Sequence, residues 1–125
     1  MIVGIGLDIV DIRRIQKAIE KNSLAGRFFT PAERSFCEGK KVGRYASYAA
    51  RFAGKEAFVK ALGTGFRHGR FQEISIENDV LGCPQVLLSG CYSDIIKTRN
   101  IDRIHISLSH SHAWAVAEVI LEADV

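Results

Sequence analysis

The chain has 125 residues, 47% of them hydrophobic and 25% charged, with two prolines and a net charge of +3. That composition describes one globular domain, 1–125, with material for a real core and no room for a second. No apolar run approaches the ~20 residues that span a bilayer, nothing resembles a linker or low-complexity tract, and a pI near 8.9 suits an acidic partner yet falls short of the basic footprint of a nucleic-acid binder.

The opening MIVGIGLDIVDIRRI shows neither a basic leader nor a small-residue cleavage site, so no secretory signal is expected. Within it, Ile5, Leu7 and Ile9 alternate with Gly4, Gly6 and Asp8, which predicts a strand with one bulky face and one bare face. Two glycines at this spacing point to another backbone or a ligand passing close by. From Asp11, a plausible N-cap, the period becomes helical: Ile12, Ile15 and Ile19 recur while Arg13, Arg14, Lys17 and Lys21 point elsewhere.

Thr30-Pro31-Ala32-Glu33 reads as a helix start with a capping box and proline in the first turn, and that helix is expected to end by Gly39. A long helix follows, from about Tyr45 to Leu62, stopping at Gly63-Thr64-Gly65. Its Ala49, Ala53, Ala57 and Ala61 form a ridge of small residues that permits close packing on a sheet. After a Gly/Arg-rich loop, strands are expected at Phe71–Glu77 and Gln85–Leu88, a short helix at Ser93–Thr98, and two more strands at Arg103–Ser109 and Trp114–Glu122. Mostly antiparallel hairpins around a segregated helical middle read as an α+β fold, a sheet packed on a long helix.

Glu56 and Lys60 are four apart and so share a helix face. As an isolated surface pair they would contribute only a few tenths of a kcal/mol. Here they sit in a helix rich in small and apolar residues that runs straight into GTG. Carboxylate, ammonium and glycine turn together make a reasonable phosphate and metal pocket. Paired with Asp8, Glu56 gives a two-carboxylate site that would leave several positions free on Mg²⁺.

Other motifs carry less. The glycines of GIG and GTG lack the order of a dinucleotide-binding fingerprint. His105, His110 and His112 raise zinc, but no familiar ligand spacing accompanies them. Ser109 and His110 are adjacent, so on an extended chain they point to opposite faces, a poor nucleophile–base arrangement. Cys37, Cys83 and Cys91 form no CxxC and read as reduced thiols in a cytosolic protein.

Taken together, GIGLDIVDIRRI, RFAGKEAFVKALGTG and SLSHSHAWAVA resemble, in order and spacing, the signature segments of the holo-[acyl-carrier-protein] synthase family, the small single-domain 4′-phosphopantetheinyl transferases. FQEISIENDVLGCPQVLL resembles that family's strand–DxxGxP–strand segment. The resemblance implies transfer of the phosphopantetheine arm of coenzyme A to a serine of apo acyl carrier protein, releasing adenosine 3′,5′-bisphosphate. It implies a cytoplasmic homotrimer serving fatty acid biosynthesis, with active sites between subunits and no nucleic-acid or membrane partner. On matching positions, Asp8 and Glu56 would hold Mg²⁺ and Lys60 would face the pyrophosphate, which makes Glu56 and Lys60 the catalytic pair. Arg51, Lys60, Gly63, Ser109 and His110 would line the coenzyme site, the last two from the neighbouring subunit. The serine proton would go to a metal-associated water or to Glu56, a choice the sequence leaves open. Arg13, Arg14, Lys17 and Lys21 would dock the acidic carrier protein, steering its approach. The bare face of the first strand and the placement of Ser109-His110 are read as a site completed by a second chain.

Two residues depart from the family pattern: Gly54 stands where alanine is commoner, and Trp114 replaces a usual tyrosine. A nucleic-acid-binding module would leave Asp8, Glu56 and Lys60 unexplained. A non-catalytic carrier-protein scaffold would need the basic helix but not the carboxylate pair.

Overall fold

A computed structural model describes residues 1–22, 25–65 and 69–124. The loop expected after Gly65 lies partly outside the described residues. Strand β1 (Ile2–Asp11) leads into helices α1 (Ile12–Asn22), α2 (Ala25–Phe28) and α3 (Pro31–Gly39). The long helix α4 (Arg44–Leu62) is followed by a 3₁₀ turn at Phe71–Glu73, then β2 (Ile74–Asn78), β3 (Pro84–Leu88), α5 (Gly90–Thr98), β4 (Arg103–His110) and β5 (Trp114–Glu122).

Two antiparallel sheets result, one ordered β1-β5-β4 and one formed by the β2–β3 hairpin. In the larger sheet Asp8 pairs with Ala117, and Leu108 pairs with the same alanine from the other side. The architecture is α+β, with Ala49, Ala53, Ala57, Val119 and Leu121 fully buried in the core.

Local signals explain several element ends. Thr30 Oγ1 accepts the Glu33 N–H at 3.2 Å, and Glu33 Oε1 accepts the Thr30 N–H at 2.9 Å, completing the capping box. Asp11 Oδ1 accepts the Arg13 N–H at 2.9 Å at the start of α1. Gly63, at φ +78°, ends α4 in the left-handed conformation and donates its N–H to Val59 and Lys60. One strand starts later than expected. Phe71–Glu73 is a 3₁₀ turn because the Glu73 carboxylate folds back to accept the Arg70 N–H at 3.2 Å, which holds the chain helical before β2.

The first strand turns its bare face inward. A Cβ on Gly4 would run into the Ala61 carbonyl, and one on Gly6 would run into the Ala57 carbonyl. The backbone that passes close by is therefore the chain's own α4. The expectation that this bare face marks a second chain is corrected: the alanine ridge fills it, leaving no space for another molecule. It is the bulky face that stays open, with Ile5, Leu7 and Ile9 about three-fifths exposed at 63%, 58% and 60%. Gly54 is explained by the same tightness, since a Cβ there would lie 3.1 Å from Ile76 Cδ1 and 3.2 Å from Ile106 Cδ1.

Candidate active site

Asp8 follows Gly4 and Gly6 at the strand period, so its side chain also faces α4. The close approach that the glycines allow brings it beside the last two turns of that helix. There Lys60 Nζ donates to Asp8 Oδ1 at 2.7 Å and to the Leu7 carbonyl at 3.0 Å. Glu56, one turn earlier on the same helix, is partly buried. Burial pushes its carboxyl above the usual carboxylate range, the Asp8 charge pushes it further, and Lys60 pulls the other way. Three sequence-predicted residues thus converge from elements more than forty positions apart.

Two carboxylates that repel one another across a half-desolvated gap form an oxygen donor set suited to a hard divalent cation. Among the described residues no group of three His, Cys, Asp or Glu side chains converges. The candidate metal centre is the two-carboxylate one, and it would leave coordination positions for water and substrate. The zinc alternative loses a member, since His105 Nε2 is bonded to Glu122 Oε1 at 2.7 Å.

Asp8 and Glu56 stand in a cleft of about 650 Å³. Arg14, Asp11 and Trp114 contribute to its lining, together with Ile9, Ile15, Ile19, Phe28 and Phe52. Of the four basic residues of α1, Arg14 reaches this lining, whereas Arg13, Lys17 and Lys21 lie exposed on the helix.

The remaining predicted residues separate. Arg51, Ser109 and His110 meet in a second cavity of about 400 Å³ with Lys40, Ser47 and Asn78, and it shares no lining residue with the first. Arg51 is buried there, its guanidinium over the Phe36 ring at 4.2 Å, donating to Asn78 Oδ1 at 3.2 Å and Ser47 Oγ at 3.4 Å. Its Nε is buried with no hydrogen-bond partner among the described residues. Gly63 lines neither cavity and acts in this chain as the α4 cap. Lys40 and Asn78 were missed from sequence. Lys40 and Lys41 stand together just before α4, a basic pair that could have drawn attention, and Asn78 reaches the cavity only through the β2–β3 hairpin.

The three cysteines are free thiols. Cys37 is fully buried and donates to Ser47 Oγ at 3.3 Å, and burial pushes its thiol pKa up.

Comparison with known proteins follows the same lines. Residues 4–118 match the family model of the 4′-phosphopantetheinyl transferase superfamily. The chain is 47% identical over 125 residues to a holo-[acyl-carrier-protein] synthase of Geotalea daltonii, covering 98% of this chain and 99% of that one. The solved holo-[acyl-carrier-protein] synthase of Neisseria meningitidis superposes with a TM-score of 0.86 at 36% identity, over 98% of this chain and 99% of that chain. That of Bacillus anthracis, in complex with CoA (3′,5′-ADP), gives 0.81 at 38% identity over 99% of both. The chain belongs to the 4′-phosphopantetheinyl transferase superfamily, a class of transferases. Within that class it is a member of the holo-[acyl-carrier-protein] synthase family.

Proposed function

We propose that this enzyme moves the 4′-phosphopantetheine group of coenzyme A onto a serine of an apo acyl carrier protein, releasing adenosine 3′,5′-bisphosphate, in the cytoplasm and in support of fatty acid biosynthesis. The observation that carries the reading is the meeting of Asp8 and Glu56 in a cleft edged by a basic helix, with Lys60 bonded to Asp8.

The serine oxygen forms a bond to the phosphorus that carries the pantetheine arm, and the bridging P–O bond of the diphosphate breaks. Such a displacement needs positioning and charge neutralisation more than a covalent intermediate. Asp8 and Glu56 would hold Mg²⁺, and the ion supplies charge neutralisation at the diphosphate when bound. Lys60, half exposed at 51%, is able to leave Asp8 for the phosphate oxygens of the leaving group. The serine proton would go to Glu56 or to a water beside it.

Arg51, Ser109, His110 and Lys40 make the second cavity cationic and hydrogen-bonding, apt for the phosphorylated nucleotide end of the coenzyme. Because that cavity and the carboxylate cleft are separate in one chain, a coenzyme touching both would be completed by a neighbouring copy. The open apolar face of Ile5, Leu7 and Ile9 supports an interface between copies, and the family resemblance makes that assembly a homotrimer. Sedimentation showing an active monomer at assay concentration would refute the assembly.

The deciding experiment is incubation with coenzyme A, Mg²⁺ and an apo carrier protein, read by mass spectrometry. The carrier protein is expected to gain one phosphopantetheine. No gain at saturating coenzyme and metal would overturn the reading.

A further inference from the structure

Lys55, beside Glu56 in sequence, has its side chain fully buried, and so has Glu33. Its ammonium offers three N–H groups and meets three acceptors: Glu33 Oε1 at 2.7 Å, the Phe28 carbonyl at 2.8 Å and the Phe71 carbonyl at 2.9 Å. Glu33 in turn accepts the N–H groups of Thr30 and Ile76 at 2.9 and 2.8 Å. Such a buried pair is weak grounds for stability, because well-packed apolar residues often do as well. What this one does is fix backbone in place.

The two clamped carbonyls belong to two aromatic residues. The Phe28 ring stands edge-on to Phe71 at 4.7 Å and to Phe52 at 5.9 Å, and Phe52 stacks on Phe71 at 5.9 Å. Phe28 and Phe52 line the cleft with Glu56. Helix α2, which carries Phe28, has four residues and buries none of them, too short to persist unaided. It is held by the Lys55 bond, by Gln72 Nε2 donating to the Gly26 carbonyl at 2.7 Å, and by Phe29 just beyond it, packed on Tyr48.

We propose that Lys55 is a positioning residue for the carrier-protein side of the cleft: by clamping the Phe28 and Phe71 carbonyls it sets the wall of Phe28 and Phe52, backed by Phe71, beside Glu56. This rests on the reading that the carrier protein docks over that cleft. Lys55 touches no substrate and acts through the wall.

The experiment compares Lys55→Met, Glu33→Gln and Arg14→Glu in the intact enzyme, measuring both KM values and thermal stability. Lys55→Met removes both carbonyl bonds, and the KM for carrier protein is expected to rise about tenfold, the scale of one lost charge-assisted hydrogen bond. The KM for coenzyme A stays within about twofold of the parent, since the groups Lys55 bonds, Glu33 and the Phe28 and Phe71 carbonyls, do not line the second cavity. Glu33→Gln lowers stability but keeps an amide oxygen for the ammonium, so both carbonyl bonds and the carrier-protein KM persist. If the two variants change that KM equally, or if both KM values rise together in Lys55→Met, the pair is an ordinary structural one and the proposal is wrong. If Arg14→Glu raises the carrier-protein KM while Lys55→Met does not, the clamp alone is refuted. If Arg14→Glu has no effect, the docking reading fails and the inference goes with it. Should Lys55→Met not fold, the apolar double variant Lys55→Met/Glu33→Leu, which leaves no buried charge, is read in its place against the same outcomes.

Discussion

Gly6→Ala tests whether the close approach of β1 to α4 builds the proposed active site. A Cβ at position 6 would lie 2.7 Å from the Ala61 nitrogen and 2.9 Å from the Ala57 carbonyl carbon, and closer still to the Ala57 oxygen. All of these are backbone atoms, so no side chain can swing aside. Restoring ordinary contact at about 3.5 Å from the Ala57 oxygen, the closest of them, requires strand and helix to part by roughly 1.5 Å. Overpacking of this kind costs about 1–3 kcal/mol, or roughly 3–10 °C in Tm for a domain of this size. Asp8 lies two residues further along the same strand, and its partner Lys60 is on the helix being pushed away. A displacement of about 1 Å at a reacting centre lowers turnover by about 10²-fold. The assay is phosphopantetheine transfer at a temperature where circular dichroism shows the variant fully folded, beside Gly39→Ala, where a Cβ meets nothing within 4 Å. A Gly6→Ala enzyme as stable and active as the Gly39→Ala control would refute the reasoning.

Asp8→Ala and Glu56→Ala are each expected to cut transfer by about 10²-fold or more while leaving circular dichroism unchanged, and to raise the Mg²⁺ needed for any remaining rate; near-parent turnover at saturating Mg²⁺ would remove that residue from the site. Arg14→Glu should raise the KM for carrier protein and spare that for coenzyme A, with the effect shrinking as salt screens charges beyond about 10 Å at 0.1 M ionic strength; an effect indifferent to salt would count against electrostatic docking. Glu56 gives a pH prediction. Its carboxyl holds a proton more tightly in the folded than in the unfolded chain, so ionisation favours unfolding, and stability falls as pH rises from the ordinary carboxylate value through the raised one. In chelator at pH 8, Glu56→Gln should therefore be the more stable protein, by less than about 1 kcal/mol because the group is partly solvated. The advantage should vanish near pH 4.5, and equal melting temperatures across that range would contradict the assigned cause.

How much of this was legible in the sequence follows from how local each cause is. The Thr30–Glu33 capping box, the Gly63 stop and the Asp11 cap are made within four residues, and each stands where the sequence placed it. Asp8, Glu56 and Lys60 were legible because charges on otherwise small or apolar faces need a reason. The strand's orientation was not legible. Alternation separates a bare face from a bulky one, but which turns inward depends on what packs there, and an alanine ridge prefers glycine to isoleucine. Lys55 escaped notice although a signal existed. Tyr48, Arg51, Lys55, Phe58 and Leu62 recur at helical spacing, and all five are buried. The helix thus has a second buried stripe beside the alanine ridge, and two cations lie on it. Each cation has a partner far along the chain, Arg51 in Asn78 and Lys55 in the carbonyls of Phe28 and Phe71. Such partners become neighbours only once α2 and the β2–β3 hairpin have folded onto α4, so a helical stripe can mark a cation as buried without naming what receives it.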